Sequence, residues 1–226
     1  MEIQELTLQT TKLEEMKKFY GKQLGFSLIE DSYHHFKVQI GTSILEFTNE
    51  DVEGEPYYHF AFNVPGNQFE EAKKWLKDKT SLLWEDGKDE VNFSFWSAHA
   101  CYFEDPAGNI VELIARTIEN EMSEESFTSN SIINISEIGL AVENAANVGE
   151  ILEKLGIVKS NQDLITNASL SFMQEYQNGV FLILVGEGRK WLFSKKQSKI
   201  FPLEIKLNQR RVIGVNNQKE FIYHSS

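Results

Sequence analysis

The chain has 226 residues, 41% of them apolar and 25% charged, enough for one large domain or two small ones with a real core. A formal charge of −12 repels phosphate backbones, so nucleic acid is a poor partner. The single cysteine, Cys101, excludes an internal disulfide framework and cysteine-built zinc sites. No apolar stretch approaches the roughly 18 residues of a membrane span. The opening Met1-Glu2-Ile3-Gln4-Glu5 lacks a secretory signal's basic region and apolar block, so a cytoplasmic protein without membrane contact is expected.

Ile3–Leu8 alternates, with Leu6 and Leu8 on one face and Glu5 and Thr7 on the other, as a half-buried strand does. Thr11-Lys12-Leu13-Glu14 reads as a capping box opening a helix that turns Leu13, Met16, Phe19 and Leu24 to the core, with Gly25 at its end. Strands are predicted at Phe26–Glu30, His35–Ile40 and Ser43–Phe47, completing a βαβββ unit. The pattern repeats after roughly 55 residues. His59–Val64 alternates, Asn67 can cap a helix carrying Phe69, Ala72 and Leu76, and strands follow near Leu82–Trp84, Phe93–Phe103 and Ile110–Ala115.

Thr117–Ser131 is acidic and poor in apolar residues, and reads as a linker. A third unit begins at Ile135–Val142, with Asn144 capping a helix of Val148, Ile151, Leu152 and Leu155 and a strand at Val180–Val185. A fourth is truncated: Leu203, Ile205 and Leu207 form a strand face, but the chain passes to a hairpin at Asn216-Asn217 without a helix. The expected architecture is α+β, paired βαβββ modules forming curved, cup-like mixed sheets with helices outside. The expected division is a paired domain over 1–116, a linker over 117–131 and a degenerate second pair over 132–226.

Four ionisable residues interrupt the first pair in the same way. Glu5 and His59 oppose the apolar faces of their strands, and Glu46 and Glu112 break the runs Ile44–Phe47 and Ile110–Ile114. Gathered in a cup, three carboxylates and an imidazole cannot neutralise one another, and a divalent cation resolves the conflict. Mixed oxygen and nitrogen donors suit Mn, Ni, Co, Fe or Zn.

Phe19-Tyr20 followed by Leu24-Gly25-Phe26, and the closing stretch Tyr102–Leu113 with Asp105-Pro106-Ala107-Gly108-Asn109 and Glu112-Leu113, resemble the vicinal oxygen chelate superfamily. That superfamily includes glyoxalase I, extradiol dioxygenases and bleomycin-resistance proteins. The resemblance covers 1–115 well and 132–226 weakly. It implies a metal set of Glu5, Glu46, His59 and Glu112, closest in ligand types to glyoxalase I, except that Glu5 stands where that family usually has His or Gln. It also implies a small metal-chelating, oxygenated substrate and a lyase or isomerase reaction that moves a proton beside a carbonyl. Glu112 is the candidate base, followed by Glu46.

Two alternatives stay open: a metal-free small-molecule binder, and an extradiol ring-cleaving dioxygenase. In the second pair the corresponding positions are Glu137, Leu184, Pro202 and Glu220, so that half is expected to be metal-free. Its missing helix leaves a sheet face to be covered by the first domain or by a second copy in a homodimer. Tyr33, Trp84, Phe93, Phe95 and Trp96 are candidate pocket aromatics. His99, Cys101 and Phe103 would join the face of Glu112 only if Asp105 pairs with Ile110.

Overall fold

The computed structural model describes residues 1–161, 163–176 and 178–225. The first unit runs β1 (Ile3–Gln9), α1 (Leu13–Lys17), β2 (Leu28–Asp31), β3 (His35–Ile40) and β4 (Ser43–Thr48). α1 widens into a π-helical stretch over Lys18–Leu24, which Gly25 ends at φ 84°, in the left-handed region that favours glycine. The Thr11 capping box does not form. The residue before the helix is Lys12, and its N–H donates to Thr10 Oγ1 at 3.1 Å.

The second unit is β5 (His59–Val64), α2 (Phe69–Lys77), β6 (Val91–Phe93), β7 (Ala98–Glu104) and β8 (Ile110–Arg116). The expected strand Phe93–Phe103 is broken by a 3-10 turn at Ser94–Trp96, after which Ser97 takes φ 47°. Near Leu82 only an isolated bridge to Phe103 forms. Asn67 does not cap α2; it pairs its amide with the backbone of Ser123 in both directions, at 2.8 and 2.9 Å.

The third unit is β9 (Asn134–Ala141), α3 (Ala145–Lys154), β10 (Val158–Lys159), β11 (Ser171–Gln174) and β12 (Phe181–Val185). Here Asn144 caps the helix as expected, accepting from the Asn147 N–H at 3.0 Å. The fourth unit is β13 (Leu203–Leu207), β14 (Arg211–Val215) and β15 (Phe221–Ser225), without a helix.

Two mixed sheets result, β15-β14-β13-β1-β4-β3-β2 and β10-β11-β12-β9-β5-β8-β7-β6. In the three units with a helix, first and last strands lie parallel, β1 with β4, β5 with β8 and β9 with β12, because a helix supplies the long crossover that parallel neighbours need. The fourth unit has only the turn Asn208–Arg210, so β13 and β14 form an antiparallel hairpin.

The units do not pair consecutively as expected. β1 joins β13 and β5 joins β9, so the first unit shares a sheet with the fourth and the second with the third. Burial separates the two sheets. β5 and nearly all of β9 are buried, whereas β1 and β3 alternate and keep one face open. The apolar faces meet around the continuation of α1 and the residue that follows its end: the Phe19 ring lies 6.0 Å from that of Phe103, and the Phe26 ring, just past Gly25, 6.0 Å from that of Phe62. Glu5 and His59, opposite in alternation to those faces, point away from this shared core.

The segment expected to be a linker is tied to the second unit. Asn120 Nδ2 donates to the Val64 carbonyl at 2.7 Å, and Phe127 packs on Trp75 at 5.5 Å. No helix of the described residues is long and apolar enough to cross a membrane.

Candidate metal centre

The site begins with a turn. Asp105 Oδ1 accepts the N–H groups of Ala107 and Asn109, each at 3.0 Å. Its Oδ2 accepts from the Tyr20 hydroxyl at 2.8 Å and from Asn109 Nδ2 at 2.7 Å. Burial pushes the Asp105 carboxyl up to about 6, against the pull of these four donors. Asn109 Oδ1 then accepts the Tyr58 N–H at 2.8 Å, and the Ile110 N–H donates to the Tyr58 carbonyl at 2.8 Å. This clamp fixes the register in which His59 faces Ile110 and Ala61 faces Glu112.

On its other edge Ala61 pairs with Glu137 of β9. A methyl group thus lies between two carboxylates, with His59 two residues away on the same face. Ligand atoms of His59, Glu112 and Glu137 lie within 4.8 Å of one another. All three residues are buried. His59 Nδ1 donates to the Ile110 carbonyl at 3.0 Å, which selects the tautomer whose Nε2 carries a free lone pair. That Nε2 stands 3.7 Å from Glu112 Oε2, too far for a hydrogen bond.

The donor set suits a divalent cation: one imidazole nitrogen with its outer N–H anchored on a carbonyl, and two carboxylates. Burial lowers the His59 imidazole below its usual value, against the nearby Glu137 charge and the Ile110 hydrogen bond. Burial, reinforced by Glu137, raises Glu112 well above the usual carboxylate range, against Arg116 and the Tyr102 hydroxyl. Arg116 forms a buried ion pair with Glu137.

Above these groups lies a cavity of about 230 Å³. Its walls are aromatic and aliphatic, with Phe93, Trp96, Tyr102, Phe172 and Trp191 contributing rings. Trp191 and Leu192 come from the segment over 186–202, which roofs the cup. The Trp191 ring lies 4.8 Å from that of His59, and Phe193 stacks on Tyr102 at 4.7 Å. Gly139 on β9 admits the indole, since a Cβ there would meet Trp191 Cη2 at 2.7 Å. Glu85 latches the segment by accepting from Lys190 Nζ at 2.5 Å and from the Phe193 N–H at 2.9 Å.

The expected four-ligand set does not assemble. His59 and Glu112 converge, but Glu5 and Glu46 lie in the other sheet. Glu5 Oε1 accepts from Lys206 at 2.6 Å and from Lys37 at 3.3 Å. Burial alone would raise the Glu5 carboxyl, but the two ammoniums bring it below the usual range. Glu46 accepts from Thr7 Oγ1 at 2.9 Å and lies 3.5 Å from Lys37, so it is not placed to act as a base in the cup. The cause is the pairing. The same strand positions that carry His59 and Glu112 carry Glu5 and Glu46 in the sheet whose open face bears lysines.

Glu137, assigned from sequence to a metal-free half, completes the cluster instead. Of the candidate aromatics, Phe93 and Trp96 line the cavity, whereas Tyr33, Trp84 and Phe95 are exposed elsewhere. Glu104, not Asp105, pairs with Ile110, so Tyr102 faces Glu112 while His99, Cys101 and Phe103 turn to the opposite side. Sequence reasoning also missed Arg116 and Trp191. A charged residue ending the apolar run of β8 was a signal for the first; nothing in the polar stretch around Trp191 marked the second.

Residues 2–113 match the family model described as glyoxalase/bleomycin resistance protein/dioxygenase superfamily, and residues 135–189 match that of toxoflavin-degrading enzyme. A search of curated proteins returns no match. A putative dioxygenase from Bacillus subtilis superposes with a TM-score of 0.61 at 15% identity, covering 99% of this chain and 84% of that one. Glyoxalase I from Zea mays gives a TM-score of 0.53 at 16% identity, covering 80% of this chain and 66% of its own. An integron cassette protein from the mobile metagenome of a Halifax Harbour sewage outfall is 26% identical over 50% of this chain and 97% of its own, with a TM-score of 0.43. The likenesses to the putative dioxygenase and to glyoxalase I agree with the mixed α+β fold built from repeated βαβββ units, and the chain belongs to the glyoxalase/bleomycin resistance protein/dioxygenase superfamily.

Proposed function

We propose that the chain is a divalent-metal-dependent enzyme acting on a small, flat substrate that offers two adjacent oxygens. The supporting observation is the convergence of His59 Nε2 with carboxylate oxygens of Glu112 and Glu137, all within 4.8 Å, beneath an aromatic cavity. These three residues would hold the cation, with Mn, Fe, Co, Ni and Zn all suited to one nitrogen and two oxygen donors. Such an ion, when bound, supplies Lewis acidity to a chelating pair of oxygens.

The remaining work falls to the chain. Rings of Trp191, Trp96 and Phe172 favour a planar ligand by offering faces and edges. The roof over 186–202 limits water. The cavity, about 230 Å³, is smaller than a usual drug-sized site, which favours a compact substrate over a bulky thiol adduct. Glu112 is the group for a proton transfer beside a carbonyl, since it lines the cavity and the Tyr102 hydroxyl lies against it. The match of residues 135–189 to toxoflavin-degrading enzyme, a stretch that contains Glu137, supports a heteroaromatic substrate. Ring cleavage of the extradiol type is less well supported, because the cluster contains one histidine where a facial triad has two.

A second reading has its own observation. The Arg116–Glu137 ion pair gives the cup a cation of its own, and a neutral His59 and protonated Glu112 would complete a balanced, metal-free binding pocket. Protein purified without chelator, analysed for metals and then dialysed against Mn, Fe, Co, Ni and Zn separately, decides between them. About one ion per chain, lost in His59→Ala, is expected for the enzyme reading. Refusal of all five ions would leave the binding module.

A further inference from the structure

Arg116 is the residue of the cup that the proposed chemistry does not use. It ends a strand whose seven residues are all buried and is itself 2% exposed. A guanidinium keeps its charge, so burial is costly unless its surroundings are built to receive it. Here they are. One nitrogen, Nη2, donates to Glu137 Oε1, and the other, Nη1, donates to Asn63 Oδ1 at 2.5 Å. The Phe181 ring lies 5.4 Å from Cζ. Asn63 is fixed in turn, its Nδ2 donating to Asn134 Oδ1 at 2.9 Å and to the Gly179 carbonyl at 3.2 Å. Gly179 leaves room for the stem, since a Cβ there would stand 3.0 Å from Arg116 Cδ.

We propose that Arg116 is the positioning residue for Glu137. By engaging one carboxylate oxygen it aims the other at the point shared with His59 and Glu112, and confines Glu137 to ligation through a single oxygen. This rests on reading the cup as a divalent-metal site. Arg116 does not line the cavity and therefore acts only through Glu137. Lysine could supply the charge but not the bridge, because two donors of one rigid plane must reach acceptors on β9 and β5 together.

The test is Mn(II) binding to the full chain, by titration calorimetry and low-temperature EPR, for the native protein, Arg116→Lys and Asn63→Ala. Metal-free thermal unfolding is recorded alongside. Arg116→Lys should bind Mn(II) about 10–100-fold more weakly, with an altered EPR line shape. Asn63→Ala keeps the arginine but loosens it, and should shift both readouts the same way by less; it decides alone if Arg116→Lys fails to fold. Unchanged affinity and line shape, whatever the fall in Tm, would make Arg116 a structural bridge between strands and overturn the proposal. Native protein that binds neither Mn(II) nor any of the other four ions overturns the metal reading and this proposal with it.

Discussion

Gly139→Ala tests whether the roof of the cup is seated on bare backbone. The added Cβ would stand 2.7 Å from Trp191 Cη2 and 3.0 Å from Cζ2, and 3.3 Å from the His59 carbonyl oxygen. Carbon atoms pack well at about 3.5–4.0 Å, so the indole edge must retreat by about 1 Å. Gly139 is not among the residues with positive φ, so alanine strains no backbone and the change reports the contact itself. Trp191 is only 4% exposed, which limits how freely it can yield. Overpacking of this size costs about 1–3 kcal/mol. For a chain of this length that lowers Tm by roughly 2–12 °C. The assay is a double-mutant cycle with Trp191→Phe, read by thermal unfolding, since phenylalanine lacks the indole atoms that clash. In that background Gly139→Ala should cost less than about 0.5 kcal/mol. Equal costs in both backgrounds would refute the close seating of the indole, and with it the account of how the roof is held.

Two further outcomes follow from the two sheets. Because burial raises Glu112 in the metal-free protein, a cation must displace its proton; affinity for Mn(II) should therefore rise about tenfold per pH unit and level off once Glu112 is ionised, as calorimetry across pH would show. Glu5→Ala should leave metal affinity unchanged and shift stability by about 1 kcal/mol, since it breaks only a partly exposed cluster with Lys206 and Lys37; a loss of metal uptake comparable to that of His59→Ala would contradict the separation of the sheets.

Local structure was legible wherever one strand or turn carried its own signal. The bounds of β3 and β5 follow from alternation, and Asn144 caps its helix through the Asn147 N–H, a partner three residues away in the chain. Asn67 has the same chemistry, but tertiary contact with Ser123 claims its amide. The break at Ser97 had no glycine to announce its left-handed turn. At the site, His59 and Glu112 were visible as ionisable groups interrupting apolar strands. Glu5 and Glu46 give the same signal, because repeated units put similar residues at similar positions. Only the partner strand distinguishes a carboxylate facing Lys206 from one facing His59, and strand pairing between units is not a local property of the chain.

The nested pairing of units also orders the events of folding. β1 pairs with β13 across roughly 200 residues of chain, Leu6 opposite Ile205, whereas β5 and β9 meet across fewer than eighty, Phe60 opposite Ile138. A chain emerging from the ribosome therefore completes all the strands of the cup, through β12, before β13 exists to close the other sheet. Until then β1 presents an unpaired edge, the kind of surface that invites pairing with another chain. Glu5 on the open face of β1, with Lys37 and Glu46 beside it on β3 and β4, supplies charges that discourage such association. The sheet without the site thus bears the longer wait during synthesis, and the cup gains its walls while that wait is in progress.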